Sequence, residues 1–113
     1  MAGFVKGDVV VLPFPFSDLS QTKRRPALVV ATAGGGEVLL CQITSQNVRD
    51  RHAVSLNPGD FQSGSLKKTS NIRPNHIFTA DSEIILYCAG HILPAKTANV
   101  VEELVSILRA EAG

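Results

Sequence analysis

Apolar residues fall in short β-type runs over most of this chain and switch to helical spacing at its C-terminal end. Asp8-Val9-Val10-Val11-Leu12 is rich in β-branched residues and reads as a strand. Pro13 and Pro15 are expected to break it or confine it to an edge, with Phe14 and Phe16 between them. Ser17 to Arg25 reads as a long polar loop. Ala27 to Ala31 is an apolar strand, Gly34-Gly35-Gly36 makes a turn, and Val38 to Ile43 is the hairpin partner. Both runs are nearly continuous in hydrophobicity, which predicts central strands. A hairpin closed at 32–37 pairs residue 27 with residue 42 and brings 25 and 44 to the same open end.

His52 to Leu56 reads as a further short strand, and Asn57-Pro58-Gly59-Asp60 as a turn. Leu66 to Ile72 mixes polar and apolar residues and is expected as an exposed strand before Pro74. Ile84 to Cys88 and Gly90 to Leu93 suit either a strand or a helical turn. Val100, Val101, Leu104, Val105, Ile107 and Leu108 recur at three- and four-residue spacing, predicting one helix face. Asn99 with Glu102 resembles a capping box, and Thr97 offers an earlier start. The expectation is a mainly β (α+β) protein. Five or six strands would form a curved sheet or partly open barrel with a C-terminal amphipathic helix on it.

At 113 residues and 44% hydrophobic, the chain suits one globular domain over 1–113. The net charge of +1 makes any nucleic-acid footprint local rather than global. Such a patch is legible: Lys23, Arg24, Arg25, Arg49, Arg51, Lys67, Lys68 and Arg73 supply most of the 11 cations. Cys41 and Cys88 lie in apolar runs outside any CxxC or Cys/His cluster. They are read as buried free thiols, with no metal site and no cofactor. With no signal-peptide pattern and no long apolar run, the expected location is the cytoplasm, away from membranes. His52, His76 and His91 have no GxSxG serine nearby and no carboxylate at useful spacing, so each is read as structural or surface.

Lys23-Arg24-Arg25-Pro26 places three cations directly before a strand. Proline restricts the residue before it to extended backbone, so Arg25 sits at a strand entrance, held yet open to solvent. A guanidinium so mounted suits a phosphate or carboxylate, and a solvated loop tip accounts for the same residues. Thr44 and Ser45 close the hairpin partner strand, so a hydroxyl and an arginine fork converge, unless Thr44 simply ends the strand as a turn former.

Taken in order, three stretches resemble the MazF/PemK family of toxins from toxin–antitoxin pairs. The first runs from Gly7-Asp8-Val9-Val10 through Pro13-Phe14-Pro15-Phe16-Ser17-Asp18-Leu19-Ser20 to Lys23-Arg24-Arg25-Pro26-Ala27-Leu28-Val29-Val30. The second is Cys41-Gln42-Ile43-Thr44-Ser45, and the third Ser65-Leu66-Lys67-Lys68-Thr69-Ser70-Asn71-Ile72-Arg73-Pro74. The resemblance implies an SH3-like barrel with a C-terminal helix, assembled as a homodimer. It also implies a metal-independent, sequence-selective endoribonuclease acting on single-stranded RNA, with Arg25 and Thr44 as the catalytic pair. Lys23 and Arg24, Ser45 and Gln46, and Ser70 and Arg73 are the expected RNA contacts. The implied partner is an antitoxin whose acidic C-terminal tail covers the cleft. Two other functions suit the same fold: a toxin that poisons DNA gyrase, and an inactive SH3-like binding module. The terminal Ala110-Glu111-Ala112-Gly113 lacks the bulky Trp expected of a gyrase contact.

Overall fold

The computed structural model describes residues 3–14 and 23–110. Pro15, Phe16 and the Ser17–Thr22 part of the expected polar loop lie outside the described residues. Among the described residues are seven strands: β1 (Asp8–Phe14), β2 (Lys23–Gly34), β3 (Glu37–Thr44), β4 (Val54–Leu56), β5 (Phe61–Gly64), β6 (Ser70–Asp81) and β7 (Tyr87–Ile92). They form one antiparallel sheet in the order β4-β6-β3-β2-β1-β7-β5, followed by the helix α1 (Pro94–Arg109). The architecture is the expected mainly β sheet with a C-terminal helix, with more strands than five or six.

In the β2–β3 hairpin Ala27 stands opposite Gln42, as expected, but the hairpin closes at Gly34 opposite Glu37 rather than at 32–37, and two register shifts on β2 restore the expected pairing. Its turn needs glycine: Gly34, Gly35 and Gly36 all have positive φ, at 79°, 63° and 83°. Three successive left-handed residues would strain any side chain with a Cβ.

The prolines overturn several expected boundaries. Pro13 does not end β1, which runs on to Phe14, and Lys23 to Arg25 belong to β2 rather than to a loop. The third-motif strand neither stays exposed nor stops before Pro74; it starts at Ser70, buries Ser70 and Ile72, and continues to Asp81. Proline inside a sheet is tolerated where no ladder needs its missing N–H. Each of these prolines meets that condition. Pro13 lies past the last β1–β7 pair, Val11 with Tyr87, and Pro26 lies past the last β2–β3 pair. Pro74 stands in a bulge, because β6 pairs through Arg73 with Gln42 and resumes at Ile77 with Cys41.

Other boundaries shift as well. The strand expected from His52 shortens to Val54–Leu56, and β5 appears where none was expected. Asn57-Pro58-Gly59-Asp60 is the expected turn, a short 3-10 segment. Ser82–Ile84 forms a second 3-10 turn, so the last strand starts only at Tyr87. The helix starts earlier than Thr97 or Asn99, with Leu93 as N-cap and Pro94 at the first position, where proline's missing N–H costs nothing.

Alternation along the strands builds two apolar clusters, one on each face. Val9, Leu28, Val30, Cys41, Ile43, Leu56, Ile72 and Ile92 pack with Val100 and Leu104 of α1. Val10, Leu12, Phe14, Ala27, Val29, Val38 and Leu40 pack on the other side. Not all of the expected helix face is covered: Val105 is exposed and Leu108 is 78% exposed. Cys41 is buried, whereas Cys88 is exposed, contrary to expectation; both are free.

Candidate active site on the helix-free face

The two clusters place the candidate residues. Leu12 belongs to the helix-free face and pairs with Arg25, so Arg25 shares that face. Ala27 pairs with Gln42, Gln42 with Arg73, and Thr44 with Asn71. Residues paired directly across a ladder share a face. Arg25, Gln42, Thr44, Asn71 and Arg73 therefore occupy one face at one end of three adjacent strands. The β2–β3 ladder ends at Ala27–Gln42, which leaves Arg25 and Thr44 at its open end.

Thr44 is only 9% exposed. The Gln46 backbone N–H donates to Thr44 Oγ1 at 3.2 Å, and Asn71 Nδ2 donates to the Gln46 carbonyl at 3.3 Å. One acceptor site of the threonine hydroxyl is thus used, and its proton remains available as a donor. Asn71, absent from the expected contacts, holds the segment that holds Thr44. The signal was present in Ser70-Asn71-Ile72-Arg73: alternation sends Asn71 and Arg73 to the opposite side from Ser70 and Ile72.

Arg25 is half-buried, its Nε atom sealed from solvent. The Arg73 Nε faces Asp50 Oδ2 at 3.8 Å. That is ion-pair range but too long for a hydrogen bond. Asp50 Oδ1 in turn accepts the His52 backbone N–H at 2.9 Å. Lys23, Arg24, Ser45 and Gln46 are exposed at the rim. Lys23 shares the parity of Arg25, and Arg24 points to the other side of β2.

Ser70 is not brought to this group. It pairs with Leu56 on the helix side, is buried, and donates its hydroxyl to the Lys68 carbonyl at 2.9 Å. Two histidines do find carboxylates, which spacing in sequence had hidden: His52 Nδ1 lies 3.0 Å from Glu103 Oε1, and His91 Nδ1 lies 2.8 Å from Asp8 Oδ1. These pairs tie the β3–β4 loop to α1, and β7 to β1. His76 is exposed on the β6 bulge. Among the described residues, no group of three or more His, Cys, Asp or Glu is placed to hold a metal ion, and no helix is long and apolar enough to cross a membrane.

Solved structures share this fold. A mycobacterial endoribonuclease in complex with its cognate antitoxin superposes with a TM-score of 0.73 at 17% identity, covering 100% of both chains. MazF of a MazE-MazF complex from Deinococcus radiodurans gives 0.76 at 21% identity, over 96% of this chain and 98% of that one. A crystal structure of MazF from the same organism gives 0.75 at 23% identity, over 97% and 100%. No curated protein matches the chain. Residues 5–108, nearly the whole sequence, match one family description, and the protein accordingly belongs to the PemK-like, MazF-like toxins of type II toxin–antitoxin systems.

Proposed function

We propose that this toxin is a metal-independent endoribonuclease that cuts single-stranded RNA, with Arg25 and Thr44 at the reacting phosphate. The observation that carries this is the meeting of Arg25, Thr44 and Arg73 on one helix-free face at the open end of the β2–β3 ladder. The RNA 2′-oxygen attacks the adjacent phosphorus and the bond to the 5′-oxygen breaks. The products are a 2′,3′-cyclic phosphate and a 5′-hydroxyl. The attacking hydroxyl loses its proton and the leaving oxygen gains one, so no cofactor enters the balance.

The protein's task is to orient the strand and offset charge on the crowded phosphorane. Arg25 supplies a guanidinium fork, which stays charged and so suits charge stabilisation better than proton abstraction. Thr44 donates its hydroxyl proton to a non-bridging oxygen. Arg73 and Lys23 hold flanking phosphates, Ser45 and Gln46 border the strand, and Asn71 keeps Thr44 in place; Arg24, expected as a further contact, points away from this face. The toxin works as a homodimer, as the family resemblance implies, and is silenced by an antitoxin, as the antitoxin-bound relatives suggest. An acidic antitoxin tail would compete with RNA for the same cations.

Purified protein incubated with single-stranded RNA in EDTA tests this. Cleavage is expected to survive chelation, to fall steeply with Arg25→Ala, and to stop when the sugar 5′ to the cut is 2′-deoxy. Cutting that ignores the 2′-deoxy substitution would sink the mechanism.

A further inference from the structure

Beside the candidate active site, the helix-free face carries a groove of about 550 Å³ between β1 and β6. That volume lies within the range of small-molecule sites. Ile77 and Phe78 line it, over Leu12 and Phe14, which are buried beneath them. The two phenylalanine rings meet edge to face, with centroids 5.0 Å apart. Ile77 is 42% exposed, an apolar side chain left at the surface beside polar neighbours. The register orders the polar groups along the groove. Gln42 and His76 stand at the end next to Arg73, and Asp81 stands at the hairpin end, where it pairs with Glu37.

We propose that this groove takes a nucleobase of the RNA strand whose phosphate Arg25 and Thr44 hold, and that Gln42 reads its edge. The proposal rests on the ribonuclease function above and assigns its base selectivity. Gln42 and Thr44 are two residues apart on the same face of β3, about 7 Å along the strand. A nucleotide anchored by its phosphate at Thr44 therefore has its base within reach of Gln42. The amide offers a donor and an acceptor together, the pairing that base edges present. The walls offer aromatic and aliphatic surface, which suits the flat neutral face of an unstacked base.

The same features disfavour other occupants. The walls hold no cation for a phosphate. The Asp81 carboxylate, with Oδ1 accepting the Glu83 N–H, repels both a phosphate and an acidic protein tail from the far end. His76 reaches the groove mouth because the Pro74–His76 bulge lifts it out of the β6 ladder, three residues after the phosphate contact Arg73.

Cleavage of a randomised single-stranded RNA pool with end mapping tests the assignment. Gln42→Leu is expected to cut discrimination about tenfold at one position beside the cut, whereas Arg25→Ala lowers cleavage at all sites alike. His76→Ala, at an exposed position, is expected to weaken selectivity at that same position. Unchanged preference in both Gln42→Leu and His76→Ala overturns the base pocket while leaving the nuclease function intact.

A second arm works without cleavage. A 2′-deoxy oligonucleotide carrying 2-aminopurine is bound to the full chain, and stacking is expected to quench its fluorescence, less so in Phe78→Leu. Absence of quenching at any placement of the probe overturns the proposal even if RNA is cut. So does an Ile77→Arg chain that turns from dimer to monomer with base preference unchanged, since a second copy would then fill the groove.

Discussion

The two faces of the sheet are built from the same strands and end in different chemistry. On the helix side the strand interiors are apolar, and Leu28, Cys41, Ile43, Ile72 and Leu56 pack with Val100 and Leu104 of α1, while Ser70 at the start of β6 is buried with its hydroxyl bonded to the Lys68 carbonyl. On the other side β1 stays apolar through Phe14, but the apolar positions stop early on β2 and β3, at Ala27 and Leu40, and the next residues of that parity are Arg25 on β2 and Gln42 and Thr44 on β3. One face is therefore sealed and the other presents cations, an amide and a hydroxyl from a rigid platform. A sheet covered on one side by a helix has its other side available for binding, and strand ends hold side chains more firmly than loops do.

The comparison breaks if both faces answer alike to substitution. Arg25→Ala is expected to lower RNA cleavage by about 10²–10³-fold, or about 3–4 kcal/mol on the barrier, while the melting temperature stays nearly unchanged. Ile72→Ala on the helix side should do the reverse. It removes a fully buried side chain, and denaturant titration should show a loss of about 2–4 kcal/mol, with cleavage per folded molecule retained. Equal stability losses for the two variants would remove the distinction between the faces.

Cys41 sharpens the comparison through pH. Burial pushes its thiol from 9.0 up to about 12. Between those values the unfolded chain loses the proton and the folded chain keeps it, so the folded state binds more protons and stability falls as pH rises. The slope approaches about 1.4 kcal/mol per pH unit. Cys41→Ala should flatten that part of a stability–pH profile, and an unchanged profile would mean the site admits water. The smallest effect is expected at Leu108, on the uncovered side of α1. Leu108→Gln should shift stability by no more than about 0.5 kcal/mol in the same titration.

Local patterns were legible where local physics decides. The Gly34–Gly36 turn makes the hairpin, and together with two register shifts on β2 it sets Ala27 opposite Gln42, which brings positions 25 and 44 to one end. Periodicity found the C-terminal helix, though its start moved to Pro94 because proline is favoured in a first helical turn. The third motif was legible as a motif but not as a geometry. Its residues Ser70 and Arg73 are both expected as RNA contacts, yet strand alternation turns Ser70 to the helix side and leaves Arg73 facing Gln42.

The sequence by itself determined which residue types stand at which strand positions: Arg25 ahead of Pro26, Thr44 at the end of an apolar run, and the spacing between them. Those follow from steric limits on proline and glycine and from the two-residue period of a strand. Only the tertiary structure decided that β6 lies beside β3. That pairing brings Asn71 and Arg73 to Thr44 and Gln42 and leaves Pro74 in a bulge, while the β1–β7 pairing sets His91 beside Asp8 and the packing of the β3–β4 loop against α1 joins His52 to Glu103. Such pairings join residues far apart in the chain, and their choice is made by burial of both faces together rather than by any local preference.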